Sequence, residues 1–201
     1  MNQMTQHSDS DELRQRILAA ARERFSHEGY GKTTMADLAA DCQCSPANLY
    51  RYYPSKQDIA AAVCQQCVSD SIATLRELVR QPGTSAETRL RAYVLGGLKL
   101  SREDAQTGPK LNEFIGYILE KRQDLVHARI QAQNSLIVEI LAFGNESGEF
   151  EVEDVIATAR SVYASLTLFE VPLFQPLYSE DEFEVLANST VDLLLKGLGR
   201  R

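Results

Sequence analysis

Tryptophan is absent from the 201 residues, histidine occurs three times, and proline and glycine are scarce at 6 and 11. The histidines, His7, His27 and His127, are scattered along the chain. No serine–histidine–acid wording, phosphate loop or paired metal motif accompanies them, so no catalytic residue, metal or resident cofactor is expected. A basic excess is lacking too: 21 Lys and Arg against 28 Asp and Glu leave a formal charge of -7 and an isoelectric point near 5.1. That balance argues against a general nucleic-acid binder. No apolar run approaches the roughly 20 residues that span a bilayer. Met1 to Glu12 lacks the basic-then-apolar order of an export signal, which leads to the expectation of a cytoplasmic protein without a membrane segment. β-Branched runs bounded by turns are missing, which removes the usual signature of a sheet.

What is present is a hydrophobic fraction of 44% arranged at three- and four-residue spacing, the pattern of amphipathic helices. Leu13, Ile17, Leu18, Ala21 and Phe25 share one face of a first helix, Asp11 to His27, which Gly29 stops. Thr34-x-x-Asp37 reads as a capping box, Ser45-Pro46 as an N-cap before a first-turn proline, and Ser55-x-x-Asp58 as the start of a long helix to about Arg80. Thr84-x-x-Glu87 reads as the cap of the next helix. Further helices are expected over Lys110 to Lys121, Gln123 to Phe143, Asp154 to Phe169 and Ser179 to Leu198, with a solvated acidic loop around Glu146 to Glu153. The expectation is an all-α chain of about nine helices. Its organisation reads as a disordered tail over 1–10, a small domain over 11–56 and a larger one over 57–201.

Charge is uneven between these parts. Residues 1–56 hold seven basic and seven acidic side chains, so the rest carries the whole deficit. A locally neutral front end can still meet phosphates, whose field is felt over roughly 8–10 Å. Leu38, Ala39, Cys44 and Leu49 stand at the offsets at which two short helices pack steeply, with Ala39 as the small contact residue. Residues 46–53 make only about two turns, too short to persist alone, and need Phe25, Leu38 and Leu49 beneath them. Ala47, Asn48, Arg51 and Tyr52, with Tyr50 at the flank, then face outward. Donors, acceptors, a methyl and aromatic edges suit a major groove. Thr34, Ser45 and Lys56 stand where phosphates would meet helix starts. A plain helical hairpin with a polar outer face has the same spacing.

These residues also carry a resemblance. Phe25-x3-Gly29-Tyr30-x2-Thr33-Thr34-Met35-x2-Leu38-Ala39, followed by Ser45-x3-Leu49-Tyr50-Arg51-Tyr52-Tyr53-Pro54-Ser55-Lys56, is similar to the N-terminal domain of the tetracycline-repressor (TetR) family of bacterial transcription regulators. The likeness covers about residues 11–60. It implies an all-helical homodimer whose DNA-binding heads are governed by a small molecule held in a helical body, most often a repressor on a palindromic operator in double-stranded DNA. Thr34, Tyr50 and Lys56 match phosphate-contacting positions, Ser45, Ala47, Asn48, Arg51 and Tyr52 the groove-facing ones, and Tyr53 a core aromatic. One departure is Gln43, where the family's turn usually holds glycine. The helices at about 154–169 and 179–198 would be the dimer seam, with Val155, Ala159, Val162, Tyr163 and Leu166 on the first and Phe183, Leu186, Val191, Leu194 and Leu195 on the second. An effector pocket is expected among Phe114, Tyr117, Ile118, Ile137, Tyr163 and Phe169, with Asn112, Glu113, His127 and Asn134 as polar partners.

Other readings stay open on the residues alone. Cys42-x-Cys44 and Cys64-x2-Cys67 offer four thiols for zinc or for redox sensing, although Cys44 holds a helix-packing position and Cys64 and Cys67 lie one turn apart in a long helix. A helical adaptor that binds protein would keep the fold and leave the outer face of 46–53 without a nucleic acid to read.

Overall fold

The computed structural model describes the backbone of residues 2–199 and the side chains of residues 10–199. Nine α-helices are described: α1 (Asn2–His27), α2 (Met35–Asp41), α3 (Pro46–Tyr52), α4 (Lys56–Val79), α5 (Ala86–Ala105), α6 (Leu111–Lys121), α7 (Gln123–Ser147), α8 (Val155–Glu170) and α9 (Glu180–Leu198). A 3₁₀ segment, Pro172–Leu177, joins the last two. Among the described residues the only β pairing is a single bridge, Phe150 to Gly199.

Local chemistry sets most of the boundaries. α1 starts at Asn2, earlier than Asp11, so helical backbone runs through the segment expected to be a tail. No glycine or proline interrupts residues 1–28, and extending a helix costs far less than starting one. Gly29 ends it at φ +97°, a conformation open to glycine. α2 opens on the expected box: Asp37 N–H donates to Thr34 Oγ1 at 3.2 Å while Thr34 N–H donates to Asp37 Oδ2 at 2.9 Å. Ser45 accepts from Asn48 N–H at 3.2 Å ahead of Pro46. The α5 start differs from expectation. Ser85 is its cap, accepting from Thr88 N–H, whereas Thr84 donates back to the Gln81 carbonyl at 2.7 Å across the Pro82-Gly83 turn that follows α4. The Glu149 carboxylate also accepts from Ala86 N–H at 2.8 Å, so that acidic stretch is anchored to a helix start and not merely solvated.

The chain forms two compact units. Unit 1 comprises Met1–Cys67 with Thr107–Val126; unit 2 comprises Val68–Gln106 with His127–Arg201. The expected boundary at residue 56 therefore falls short, because residues 57–67 and 107–126 belong with the front end. Phe114, Ile118 and Leu125 complete a core with Leu13, Ile17, Phe25, Leu38, Leu49 and Ile59. Phe114 lies against Phe25 with ring centroids 5.2 Å apart, and Tyr117 stacks on Tyr30 at 4.0 Å. Glu113 Oε1 accepts from Gly31 N–H at 2.8 Å.

Unit 2 packs α5, α8 and α9 around Tyr93, Leu90, Ile137, Leu141, Leu166 and Phe183. Ala159, Val162, Leu166, Phe183 and Val191, named above for a dimer seam, are buried within the chain itself. The apolar side chains that α8 and α9 leave exposed are Ile156, Val185, Leu186 and Leu193. No described helix is long and apolar enough to cross a membrane.

Candidate nucleic-acid interface and ligand cavity

α2, the turn at 42–45 and α3 form a helix-turn-helix. Leu38, Ala39 and Leu49 are fully buried between the helices and α1. The turn passes through Gln43 at φ +54°, the left-handed conformation in which the family resemblance leads one to expect glycine. A side chain there costs on the order of 1 kcal/mol, well within what a formed core offsets. Cys44, expected in the core, lies at its edge; the buried thiol is Cys42, whose Sγ donates to the Arg16 carbonyl at 3.8 Å. Burial pushes that thiol up to about 11, so it stays protonated and unreactive near neutrality. Among the described residues no three His, Cys, Asp or Glu gather to hold a metal, and the four cysteines do not form the zinc set weighed above.

The outward face of α3 carries Ala47, Asn48, Arg51 and Tyr52, and Tyr50 is 51% exposed beside them. Arg51 is exposed and forms no ion pair or side-chain hydrogen bond among the described residues. The acidic side chains of α2 are engaged elsewhere: Asp41 accepts from Arg24 Nη2 at 2.9 Å and Asp37 from Thr34. The fork of Arg51 is thus not neutralised by its neighbours. Tyr52 is half-buried beneath the Arg14 guanidinium, 5.6 Å from its ring centre. Tyr53 turns inward as the core aromatic.

The phosphate candidates fare unequally. Ser45 uses only a lone pair on Asn48 and keeps its proton. Thr34 donates its hydroxyl proton to Asp37 Oδ2 at 2.7 Å, so it has none to offer a phosphate while the capping box is closed. Lys56 donates to the carbonyls of Tyr30 at 2.7 Å and Thr33 at 2.8 Å, with its ammonium 4.3 Å from the Tyr30 ring centre. One of its three protons is left. Burial lowers its pKa, and Glu113 opposes that shift.

The six expected pocket residues do not come together. Phe114, Tyr117 and Ile118 pack inside unit 1, and Ile137, Tyr163 and Phe169 inside unit 2. Of the polar partners, Glu113 holds Gly31, Asn112 and His127 are exposed, and Asn134 Nδ2 donates to the Ile130 carbonyl. Sequence periodicity sees that a side chain is apolar but not which neighbouring helix it meets.

What periodicity missed is a polar cluster inside unit 2. A cavity of about 10 Å³ is lined by Ser71, Leu75, Gly97, Leu100, Ser101, Asp104, Arg129, Gln133 and Glu170. Glu170 is only 3% exposed, and both carboxyl oxygens are buried without a hydrogen-bond partner. Burial pushes its carboxyl up to about 7, against the pull of Tyr93 and Arg129. The Tyr93 hydroxyl donates to Gln133 Oε1 at 3.0 Å, and Arg129 Nη2 donates to the Glu170 main-chain carbonyl at 2.9 Å. Of the expected pocket residues only Tyr163 faces this cluster, beside Arg129 and Glu170. The signal in the sequence was one acid set among Leu168, Phe169 and Val171.

Comparison with known proteins divides the chain in linear order, so residues 107–126 of unit 1 fall inside the C-terminal match. Residues 17–63 match the family model described as bacterial regulatory proteins, tetR family, and residues 86–189 match a tetracyclin repressor-like C-terminal domain. The transcriptional regulator UidR of Escherichia coli is 25% identical over 162 residues, 81% of this chain but 64% of UidR's own length. The fatty acid degradation regulator FadR from Bacillus halodurans shares the fold at a TM-score of 0.73 and 20% identity, covering 94% of this chain and 97% of that one. SmeT, the repressor of a Stenotrophomonas maltophilia multidrug efflux pump, shares it at 0.71 and 17%, covering 93% and 90%.

Proposed function

The chain belongs to the tetR family of bacterial regulatory proteins, and on that basis we propose that it is a ligand-responsive, DNA-binding transcriptional regulator acting as a repressor in the cytoplasm. The observation behind this reading is the outward face of α3, where Arg51, Asn48 and Ala47 stand exposed or half-exposed while the nearby acids are held by internal partners. An unneutralised guanidinium beside an amide and a methyl is the equipment for reading base edges. Ser45, Tyr50 and the remaining proton of Lys56 supply phosphate contacts; Thr34 joins them only by releasing Asp37. Repression, rather than activation, follows the sense of SmeT, which has the same fold.

The DNA partner is a two-fold symmetric operator bound by a homodimer, with recognition helices in successive major grooves about 34–36 Å apart. Ile156 of α8 and Val185, Leu186 and Leu193 of α9 offer the apolar seam. Ala157, Ser161 and Ala164 beside them are exposed and small enough for helices to approach closely. A small-molecule effector in unit 2 favours the form that fits DNA less well, by binding the two forms unequally. No catalysis is assigned.

Selection of genomic fragments by the purified protein, with the enriched sequences read out, tests this. A palindromic motif with half-sites one helical turn apart is the expected result. A folded protein that enriches nothing at moderate salt would overturn the reading and point to a protein-binding adaptor.

A further inference from the structure

Glu170 presents an unusual demand. Its carboxyl group is buried at 3% exposure, neither oxygen has a hydrogen-bond partner, and both lie at a cavity of about 10 Å³. A buried acceptor without a donor is costly, so such groups are retained where something else supplies the donor. Glu170 is also the last residue of α8, where the helix presents the negative end of its dipole. Carboxylate and helix end therefore call for the same complement, a positive charge bearing N–H groups.

Among the described residues no side chain makes a full hydrogen bond to the Glu170 carboxyl oxygens, although Tyr93 and Arg129 lie near enough to favour the carboxylate. The nearest cation, Arg129 of α7, donates to the main-chain carbonyl of Glu170 and also serves the Tyr163 hydroxyl of α8. The proton of Tyr93, on α5, goes to Gln133. Ser101 of α5 accepts from Gln175 Nε2 at 3.0 Å. Asp104, also on α5, adds a second carboxyl to the lining, and Ser71 and Leu75 of α4 contribute no charge. The absence of a side chain at Gly97 keeps the space open: a methyl there would stand 3.3 Å from Glu170 Cγ. The volume is that of roughly one water-sized group, enough for an ammonium head and not for the chain behind it, and Leu75 and Leu100 are the apolar part of its lining.

We propose that the Glu170 cavity is the effector's anchoring subsite and that it takes a protonated amine carrying an apolar chain, the ammonium donating to the Glu170 carboxylate. The proposal rests on the reading of the chain as a ligand-responsive regulator and names the chemistry of its ligand. Because the carboxyl of the unliganded protein titrates near 7, binding a cation expels its proton to solvent. Affinity then rises with pH through neutrality, by up to about tenfold per unit while the acid is mostly protonated. An anionic ligand paired with Arg129 would show the opposite dependence.

The test uses the whole purified chain and three probes of equal length, hexylammonium, hexanol and hexanoate, titrated calorimetrically between about pH 6 and 8. Hexylammonium is expected to bind best, to bind more tightly at the higher pH, and to release a proton on binding. Glu170→Gln, near-isosteric and checked for folding by its melting curve, should lose the preference for the ammonium over the alcohol together with the pH dependence. Hexanoate binding as well as hexylammonium, an unchanged preference in Glu170→Gln, or no binding by any probe would each overturn the proposal. DNA retention by the same preparation without probe reads the regulator assignment separately. DNA bound with no ammonium preference removes only the cation subsite. Ammonium bound with no DNA retained removes the regulator.

Discussion

Among the described residues Arg51 forms no ion pair and neither carboxyl oxygen of Glu170 has a hydrogen-bond partner, the first group standing in solvent and the second in the core. For Arg51 the consequence lies in DNA binding. Arg51→Ala should cost about 1–3 kcal/mol on the selected operator and relax the preference at one position per half-site, as read by titration against single-base operator variants. Uniform weakening on every sequence would make Arg51 a backbone contact. For Glu170 the consequence lies in stability, and its sign follows from its raised pKa. The unfolded chain loses this proton near pH 4.3, whereas the folded chain holds it until about 7, so Glu170's contribution declines as pH rises between those values and is flat above them. The decline amounts to roughly 3–4 kcal/mol. Glu170→Gln should therefore gain stability over the parent as pH climbs from about 5 to 8 in denaturant melts. A difference independent of pH would mean that the carboxyl is not buried as described.

At the scale of elements, the short helices are stable because longer ones hold them. α2 and α3 have seven residues each, too few to persist alone, and they stand on Phe25, Leu38 and Leu49. α6, well over fifty residues further along, closes that same core through Phe114 and Ile118 and caps Gly31 through Glu113. Phe114→Ala should accordingly cost about 3–5 kcal/mol in unit 1 and weaken DNA binding through loss of the folded head. A variant that kept the head's stability and lost only effector response would restore Phe114 to the pocket where periodicity put it. The two recognition elements were legible in the sequence because their signals are local. Thr34 with Asp37, Ser45 with Asn48 and Ser55 with Asp58 are three residues apart, and each helix start forms where it was read. Ser85 displacing Thr84 as the α5 cap shows the limit of such reading. Both are hydroxyls one position apart, and the Glu149 carboxylate, 63 residues beyond Ala86, accepts from the amides that follow Ser85.

For the whole molecule, assembly turns on which side chains the chain's own core leaves outside. Half of the stripe named for a seam on α8 and α9 went into unit 2, and Ile156, Val185, Leu186 and Leu193 remain exposed on the same two helices. Leu193, at 71% exposure, has little to contribute to the folded monomer, so Leu193→Arg should leave the melting behaviour of dilute protein close to its parent's. In sedimentation it should shift the protein from dimer to monomer, and it should abolish binding to the two-fold operator while preserving weak half-site binding. A variant that remains dimeric would place the seam elsewhere.

The helical class, the number of helices, the helix-turn-helix at 34–53 and the family were all determined by the sequence itself, because each rests on spacings of three to seven residues or on a short run of wording. Partnership across long stretches of chain was decided by tertiary structure alone: Glu113 on Gly31, Glu149 on Ala86, Phe114 against Phe25, and an acid at 170 enclosed with Gln133 and Ser101. The reason is physical. A cap or an amphipathic stripe is set by atoms within one or two turns, while burial depends on which helix faces meet, and an apolar stripe by itself does not name the face it will cover.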